Sequence, residues 1–363
     1  MKRAIRLVLI MLVFLMAASI IFAGGRQSAG GKTNRVGISM PTQSTERWVL
    51  EGNEMVKKFQ ALGYQTVLQF AEDNVGQQIS QIENMLNRGI DLLVVCPIDG
   101  GALDTVLKKV RDAGAPIIAY DRLLTDTQFV DYFITFDSVD IGNKMGQHIV
   151  DALGLPAARG PFNVELFAGS LDDSNTIHYF EGAMEKIRPF ITSGQIVIKS
   201  GQTSLAQCAT LEWDAGRAQA RMDNLLTAHY ADGSLVHGIL SPYDGLSIGI
   251  ISSLKAVGYG SAARPFPAIS GQDAELPSVK AILAGEQSHT ILLDFFSLSD
   301  GAVQLADQIL KGQTTTVINK PNFYHNGLKT VPAFGIQAMS VTRDNIVREA
   351  LRIGLYTEAE MRN

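Results

Sequence analysis

IIAYDRLL, residues 117–124, decides how this chain is read. Ile117, Ile118 and Ala119 form an apolar run of strand length. The run then meets Tyr120, Asp121 and Arg122 before the chain turns apolar again. In an open parallel sheet, polar groups gather outside the carboxyl ends of the strands, where ligands bind. Standing alone, the Asp-Arg pair is read equally well as a structural ion pair at a strand end. The choice turns on whether the same chemistry recurs elsewhere.

The strand pattern recurs. VGISM (36–40), TVLQF (66–70), LLVVC (92–96), PIIAY (116–120) and YFITF (132–136) are short apolar runs. Between them lie stretches such as RWVLEGNEMVKKFQALG and VGQQISQIENMLNRG, with apolar residues at three and four spacing and a terminal glycine suited to a helix C-cap. A second set follows: FNVELFAG (162–169), QIVIKSG (195–201), HGILSP (237–242), FPAISG (266–271) and HTILLD (289–294), separated by helical stretches such as AGRAQARMDNLLTAHY and GLSIGIISSLKAVG. Strand then helix, repeated, predicts an α/β fold with parallel sheets covered by helices. Two sets of similar length predict two similar lobes. The expected division is 34–138 with about 294–328 in the N-terminal lobe, and 139–293 with about 329–363 in the C-terminal lobe.

The strand-end chemistry recurs as well. PTQSTERW follows the first run, PIDGG the third, DR the fourth and DS the fifth; in the second set come SLDDSN, YDG and QDAE. Acids, amides, an arginine and aromatics at one end of both sets describe a cleft for a small, neutral, hydroxyl-rich molecule. A hydroxyl both donates and accepts, so carboxylates take its proton while arginine donates to its oxygen. Trp48 and Trp213, the two tryptophans, flank these candidates and offer flat faces to the C–H patches of a sugar ring. Plainer readings stand beside this one. Asp99, Asp244 and Asp273 read as helix N-caps, with capping favoured over ligand contact for Asp99. Trp213 reads as a ring closing a helix onto the sheet, and His178 and His289 as ordinary surface or loop residues. Catalytic signals are weak: there is no phosphate-cradling GxxxxGK[ST], no strand-linked GxGxxG, no HExxH and no CxxC. Asp172 and Asp173, as neighbours, rarely aim together as a glycosidase pair requires. No cofactor or metal is expected.

The first residues carry Lys2, Arg3 and Arg6, an uncharged apolar run from Leu7 to about Phe22, and small residues at Ala23, Gly24 and Gly25. This is the layout of a secretory signal peptide covering 1–23, and it directs the chain to the periplasm. The formal charge of −5 becomes more negative once those cations leave, which argues against nucleic acid as a partner. Cys96 and Cys208 are the two cysteines, and nothing in the sequence brings them together as a disulfide.

SQIENMLNRGIDLLVV, IIAYDRLL, ITFDS, GSLDDSN, ARMDNLL, LSPYDGLSIGIISSLKAVGYG and SGQDAELPSVKAILAGEQ together carry a resemblance. From about Val36 to its end the chain resembles the periplasmic solute-binding proteins of bacterial sugar ABC transporters, of the ribose, xylose and galactose type. The resemblance implies two Rossmann-like lobes joined by a three-segment hinge and closing on one aldose of the xylose, glucose, galactose and arabinose class, without catalysis. It implies an ABC permease as partner, a chemoreceptor as a second, and a monomer. Carried over residue by residue, it assigns ligand contact to Arg47 and Trp48, Asp121 and Arg122, Asp173 and Asn175, Trp213, Asp273, and Tyr243 where some relatives have asparagine. Ser174 and Leu171 depart from the family's loop, and Leu293 stands where relatives carry lysine, which removes a donor. A non-sugar polar ligand such as a furanone is the alternative this architecture leaves open.

Overall fold

The computed structural model describes residues 34–362, so the expected signal segment 1–23 lies outside them. Strand β1 (Arg35–Met40) is buried from Val36 onward, and β3 (Leu92–Val95) and β4 (Ile117–Tyr120) are buried throughout, as parallel strands covered on both faces must be. With β2 (Gln65–Phe70), β5 (Tyr132–Phe136), β11 (Lys320–His325) and β12 (Thr330–Ile336) they form one sheet in the order β11-β12-β5-β4-β3-β1-β2. Every pairing in it is parallel except β11 with β12. Ile118 sits opposite Val94 on one side and Tyr132 on the other, the register that carries Asp121 past the sheet's edge.

Helices α1 (Glu46–Ala61), α2 (Val75–Asn87) and α3 (Asp104–Asp112) connect the first strands. Gly63 (φ 86°) and Gly89 (φ 71°) take the left-handed conformation just past α1 and α2; nothing lies within 4 Å of a Cβ placed there, so backbone angle rather than packing calls for glycine.

The chain leaves this sheet after β5, and Asp137 caps α4 (Ser138–Ala152) by accepting from the Asp140 amide. A second, four-stranded parallel sheet follows, in the order β7-β6-β8-β9: β6 (Phe162–Leu166), β7 (Ile196–Val197), β8 (Gly238–Leu240) and β9 (Ala268–Ile269). Around it lie α5 (Ser174–Thr192), α6 (Leu205–Cys208), α7 (Ala215–His229), α8 (Asp244–Ala256) and α9 (Leu276–Ala284). Helices α4 and α5 approach backbone to backbone: a Cβ on Gly142 would lie 2.2 Å from the Tyr179 carbonyl oxygen, and one on Gly146 2.4 Å from that of Ala183.

Two further passages complete the hinge. Strand β10 (Thr290–Leu292) leads into α10 (Phe295–Leu310), which packs on α1, with Tyr64 Oη donating to Asp307 Oδ1 at 2.7 Å. After β11 and β12 the chain returns through β13 (Met339–Val341) to α11 (Ile346–Ile353) and α12 (Glu358–Arg362). The first and third passages are tied where the Asp137 amide donates to the Ile336 carbonyl at 3.3 Å.

Several expectations need correction. Thr330–Ile336, expected in the C-terminal lobe from residue 329, is a strand of the first sheet, paired parallel with β5. HTILLD does not join the second sheet; β10 pairs antiparallel with β13 in a two-stranded sheet of its own. Asp99 caps no helix, since α3 begins after Leu103, and its carboxylate instead accepts from the Gly101 amide at 2.8 Å. Asp244 lies inside α8 behind Tyr243, and α9 is preceded by Glu275 rather than Asp273. His289 is fully buried, its ring stacked on His148 at 4.4 Å between centroids. Both cysteines are free and buried.

Candidate functional site

Residues from both sheets converge on one cavity. From the first come Arg47 and Trp48 at the start of α1, and Asp121 and Arg122 past β4; from the second come Asp173, Trp213, Tyr243 and Asp273. Eight of the nine expected residues therefore line it. Asn175 does not: its Nδ2 donates to the Asp121 carbonyl at 3.1 Å and its Oδ1 accepts from Ser138 at 2.9 Å, so it stands behind Asp121 and braces it. Asp172, the neighbour considered with Asp173 as a glycosidase pair, is absent from the lining. Leu293 is buried in the apolar core and also stays outside the cavity.

Backbone strain concentrates here. Of the eight non-glycine residues with positive φ among the described residues, Asp73 (54°), Asp121 (61°), Glu212 (58°), Trp213 (54°) and Asp273 (92°) line the cavity. Such conformations cost roughly 1–3 kcal/mol each and persist where surrounding structure enforces them, often at ligand clamps. At Asp121 the enforcing bonds are visible: its amide donates to the Ile134 carbonyl at 2.6 Å, and its carbonyl accepts from Thr135 Oγ1 at 2.9 Å.

Arg47 is the hub. Its Nη2 donates to Asp121 Oδ2 at 2.6 Å, its Nη1 to Asp273 Oδ1 at 3.3 Å and its Nε to Glu51 Oε1 at 2.8 Å. The guanidinium carbon lies 4.1 Å from the Trp48 ring centroid and 4.7 Å from that of Phe295. One face of Trp48 is thus taken by Arg47, so this indole is not wholly free to stack on a ligand. Arg122 Nε pairs with Asp173 Oδ2 at 2.8 Å, and its Nη1 donates to the Pro97 carbonyl at 3.3 Å. Both arginines hold a carboxylate from the opposite sheet.

Burial and these charges oppose each other. Burial alone would lower the Arg47 pKa, but Asp121, Glu51 and Asp273 outweigh it and raise it well above the usual value. Asp173 and Asp273 are pushed up by burial against the pull of Arg122 and Arg47 respectively. Glu51 is pushed up to about 7, first by burial, with Asp121 adding and Arg47 opposing.

The opposite wall is aromatic. Trp213 meets Tyr179 and Tyr243 edge to face, at 6.4 and 6.0 Å between centroids, and rests on Gly169, where a Cβ would lie 2.1 Å from its ring. Its Nε1 is buried without an acceptor among the described residues. Tyr243 is fixed in turn by its hydroxyl, which donates to Glu275 Oε1 at 2.8 Å.

Glu275 is pushed up to about 7 by burial, then by the Asp273 charge; Tyr243 and Arg47 pull it down, while Glu46 adds to the rise. A carboxyl raised above its unfolded value contributes stability that is fully present below about pH 4.5 and is lost as pH rises through about 7. Relative to Glu275→Gln, the native protein should therefore lose on the order of 1–2 kcal/mol between pH 5 and pH 8. Paired denaturant melts at the two pH values check this, and a pH-independent difference would contradict it.

Thr42, Thr45, Asp73, Tyr179, Glu212 and Gln272 also line the cavity and were not anticipated. Asp73 follows β2 and obeys the strand-end rule that found Asp121. Gln272 and Glu212 neighbour expected residues. Tyr179 lies inside α5, where an aromatic at helical spacing reads as core.

This fold and site define a family. The model for the periplasmic binding protein domain matches residues 36–314, and the chain belongs to that family. It is 49% identical over 327 residues to the multiple sugar-binding periplasmic protein SbpA of Azospirillum brasilense, covering 90% of this chain and 91% of that one. It is 46% identical to the multiple sugar-binding periplasmic receptor ChvE of Rhizobium radiobacter, with 90% and 92% covered. A solved ABC transporter solute-binding protein from Clostridium phytofermentans with bound β-D-glucose superposes with a TM-score of 0.87 at 36% identity, covering 91% of this chain and 100% of that one.

Proposed function

We propose that this protein captures an aldose monosaccharide of the xylose, glucose, galactose and arabinose class between its two sheets and hands it to an ABC permease, without chemical turnover. The observation that carries the reading is the convergence of Asp121, Arg122 and Arg47 from one sheet with Asp173, Asp273, Trp213 and Tyr243 from the other on one cavity. Carboxylates accept from sugar hydroxyls and guanidiniums donate to their oxygens, and hydrogen bonds to charged groups contribute about 1.5–3 kcal/mol each. The buried Trp213 Nε1 is a further donor, without a partner among the described residues.

A ligand bridging both sheets binds the closed arrangement better than an open one and so draws the molecule shut by population shift. Sugar-binding relatives that are periplasmic support action in the periplasm, after removal of residues 1–23. The protein acts there as a monomer, and a chemoreceptor is a second reader of the closed form. A thermal-shift screen over xylose, glucose, galactose and arabinose tests the reading. At least one sugar should raise the melting temperature by several degrees, since a ligand binding only the folded state stabilises it by mass action. If none of the four shifts it, the sugar reading fails.

A further inference from the structure

Glu51 does not line the cavity, yet it fixes the residue on which the cavity turns. It lies four residues after Arg47 on α1, so the two side chains share one helix face. Both side chains are almost fully buried, at 3% and 0% exposure. A guanidinium is a planar fork: holding its Nε edge settles where the two Nη groups point. With Nε on Glu51, Nη2 falls on Asp121 of the first sheet and Nη1 on Asp273 of the second. The Trp48 and Phe295 rings both pack against the guanidinium, with centroids 4.1 and 4.7 Å from its carbon.

A second carboxylate this close to Asp121 is costly, because Arg47 then serves three acids, although Tyr120 also hydrogen-bonds Glu51 and Gln272 donates to Asp273. A buried ion pair is weak evidence for stability, since apolar residues of similar volume often serve the fold as well. What an apolar residue cannot do here is orient Arg47.

Resting on the sugar-binding reading, we propose that Glu51 is a positioning residue for ligand affinity: it presets the Arg47 guanidinium so that Arg47 engages the ligand-facing carboxylates of both sheets. Its contribution lies in reach and direction rather than in charge. The test is calorimetric titration with D-glucose and D-xylose of the full chain and of Glu51→Gln, Glu51→Asp and Glu51→Met, with melting temperatures taken without sugar. Glu51→Gln keeps an acceptor for Nε at the same reach and should bind within about threefold of the native protein. Glu51→Met keeps the volume without the acceptor and should weaken binding about 30-fold with little change in melting temperature. Glu51→Asp keeps the charge but shortens the reach, and should weaken binding about tenfold; it also serves if Glu51→Met does not fold.

Native affinity in both Glu51→Met and Glu51→Asp overturns the proposal, as does a Glu51→Gln protein weakened as much as Glu51→Met. Failure of the unaltered protein to bind any aldose overturns the sugar reading and this inference with it. Aldose binding by the native protein with unchanged variants overturns the inference alone.

Discussion

Asp121→Ala should lower aldose affinity by about 30- to 5000-fold, the 2–5 kcal/mol expected when one partner of a buried, hydrogen-bonded charge pair is removed. Two losses combine. The acceptor for a sugar hydroxyl disappears, and Arg47 Nη2, which donates to Asp121 at 2.6 Å, is left buried with its partner gone. The fold should survive, because the sheet register is set by residues up to Tyr120 and the turn is held by the Asp121 amide donating to the Ile134 carbonyl and by the Thr135 hydroxyl donating to the Asp121 carbonyl. Alanine at φ 61° costs some stability, so the sugar-free melting temperature should fall by only a few degrees. Arg122→Ala should behave alike by stranding Asp173. Calorimetric titration of both variants checks this; undiminished affinity in both would remove the Asp-Arg pair from the site.

The second large effect needs no charge. Gly169→Ala should weaken sugar binding about 10- to 100-fold, because the displaced ring takes up space the ligand needs. The added Cβ would lie 2.1 Å from Cη2 and Cζ2 of Trp213. That ring has little freedom to retreat, since Tyr179 and Tyr243 meet it edge to face and its backbone sits at φ 54°. It must swing into the cavity it lines. Glycine-to-alanine changes otherwise tend to stabilise by stiffening the unfolded chain. An affinity loss with a nearly unchanged melting temperature is therefore the signature, and unaltered binding would show that Trp213 does not shape the ligand space.

The sequence revealed most where one physical rule acts locally. Apolar runs such as LLVV and IIAY are buried on both faces, so composition alone marks them as interior parallel strands. The polar groups that follow them mark the binding edge. The rule weakened where tertiary pairing overrides composition. Strand β11, KPNFYH, is largely exposed and holds Pro321, while β12 holds Pro332; neither looks like part of a sheet until β5 is there to pair with β12. Asn175 belonged to the right loop, but its distance from the cavity depends on how α5 meets Ser138. Glu51 reads in sequence as an ordinary intrahelical ion-pair partner; only the convergence of Asp121 and Asp273 on the same arginine gives it a further meaning.

The late return of the chain bears on how the molecule is made. Strand β12 supplies residues 330–336 to the first sheet, and β13 supplies residues 339–341 as the partner of β10. The first sheet and the β10–β13 pair cannot complete their hydrogen bonding until nearly the whole polypeptide has been delivered, whereas the second sheet is complete by Ile269. Synthesis from the amino terminus thus leaves the first sheet without its β12 strand, and β5 without that partner, until the chain has passed residue 329.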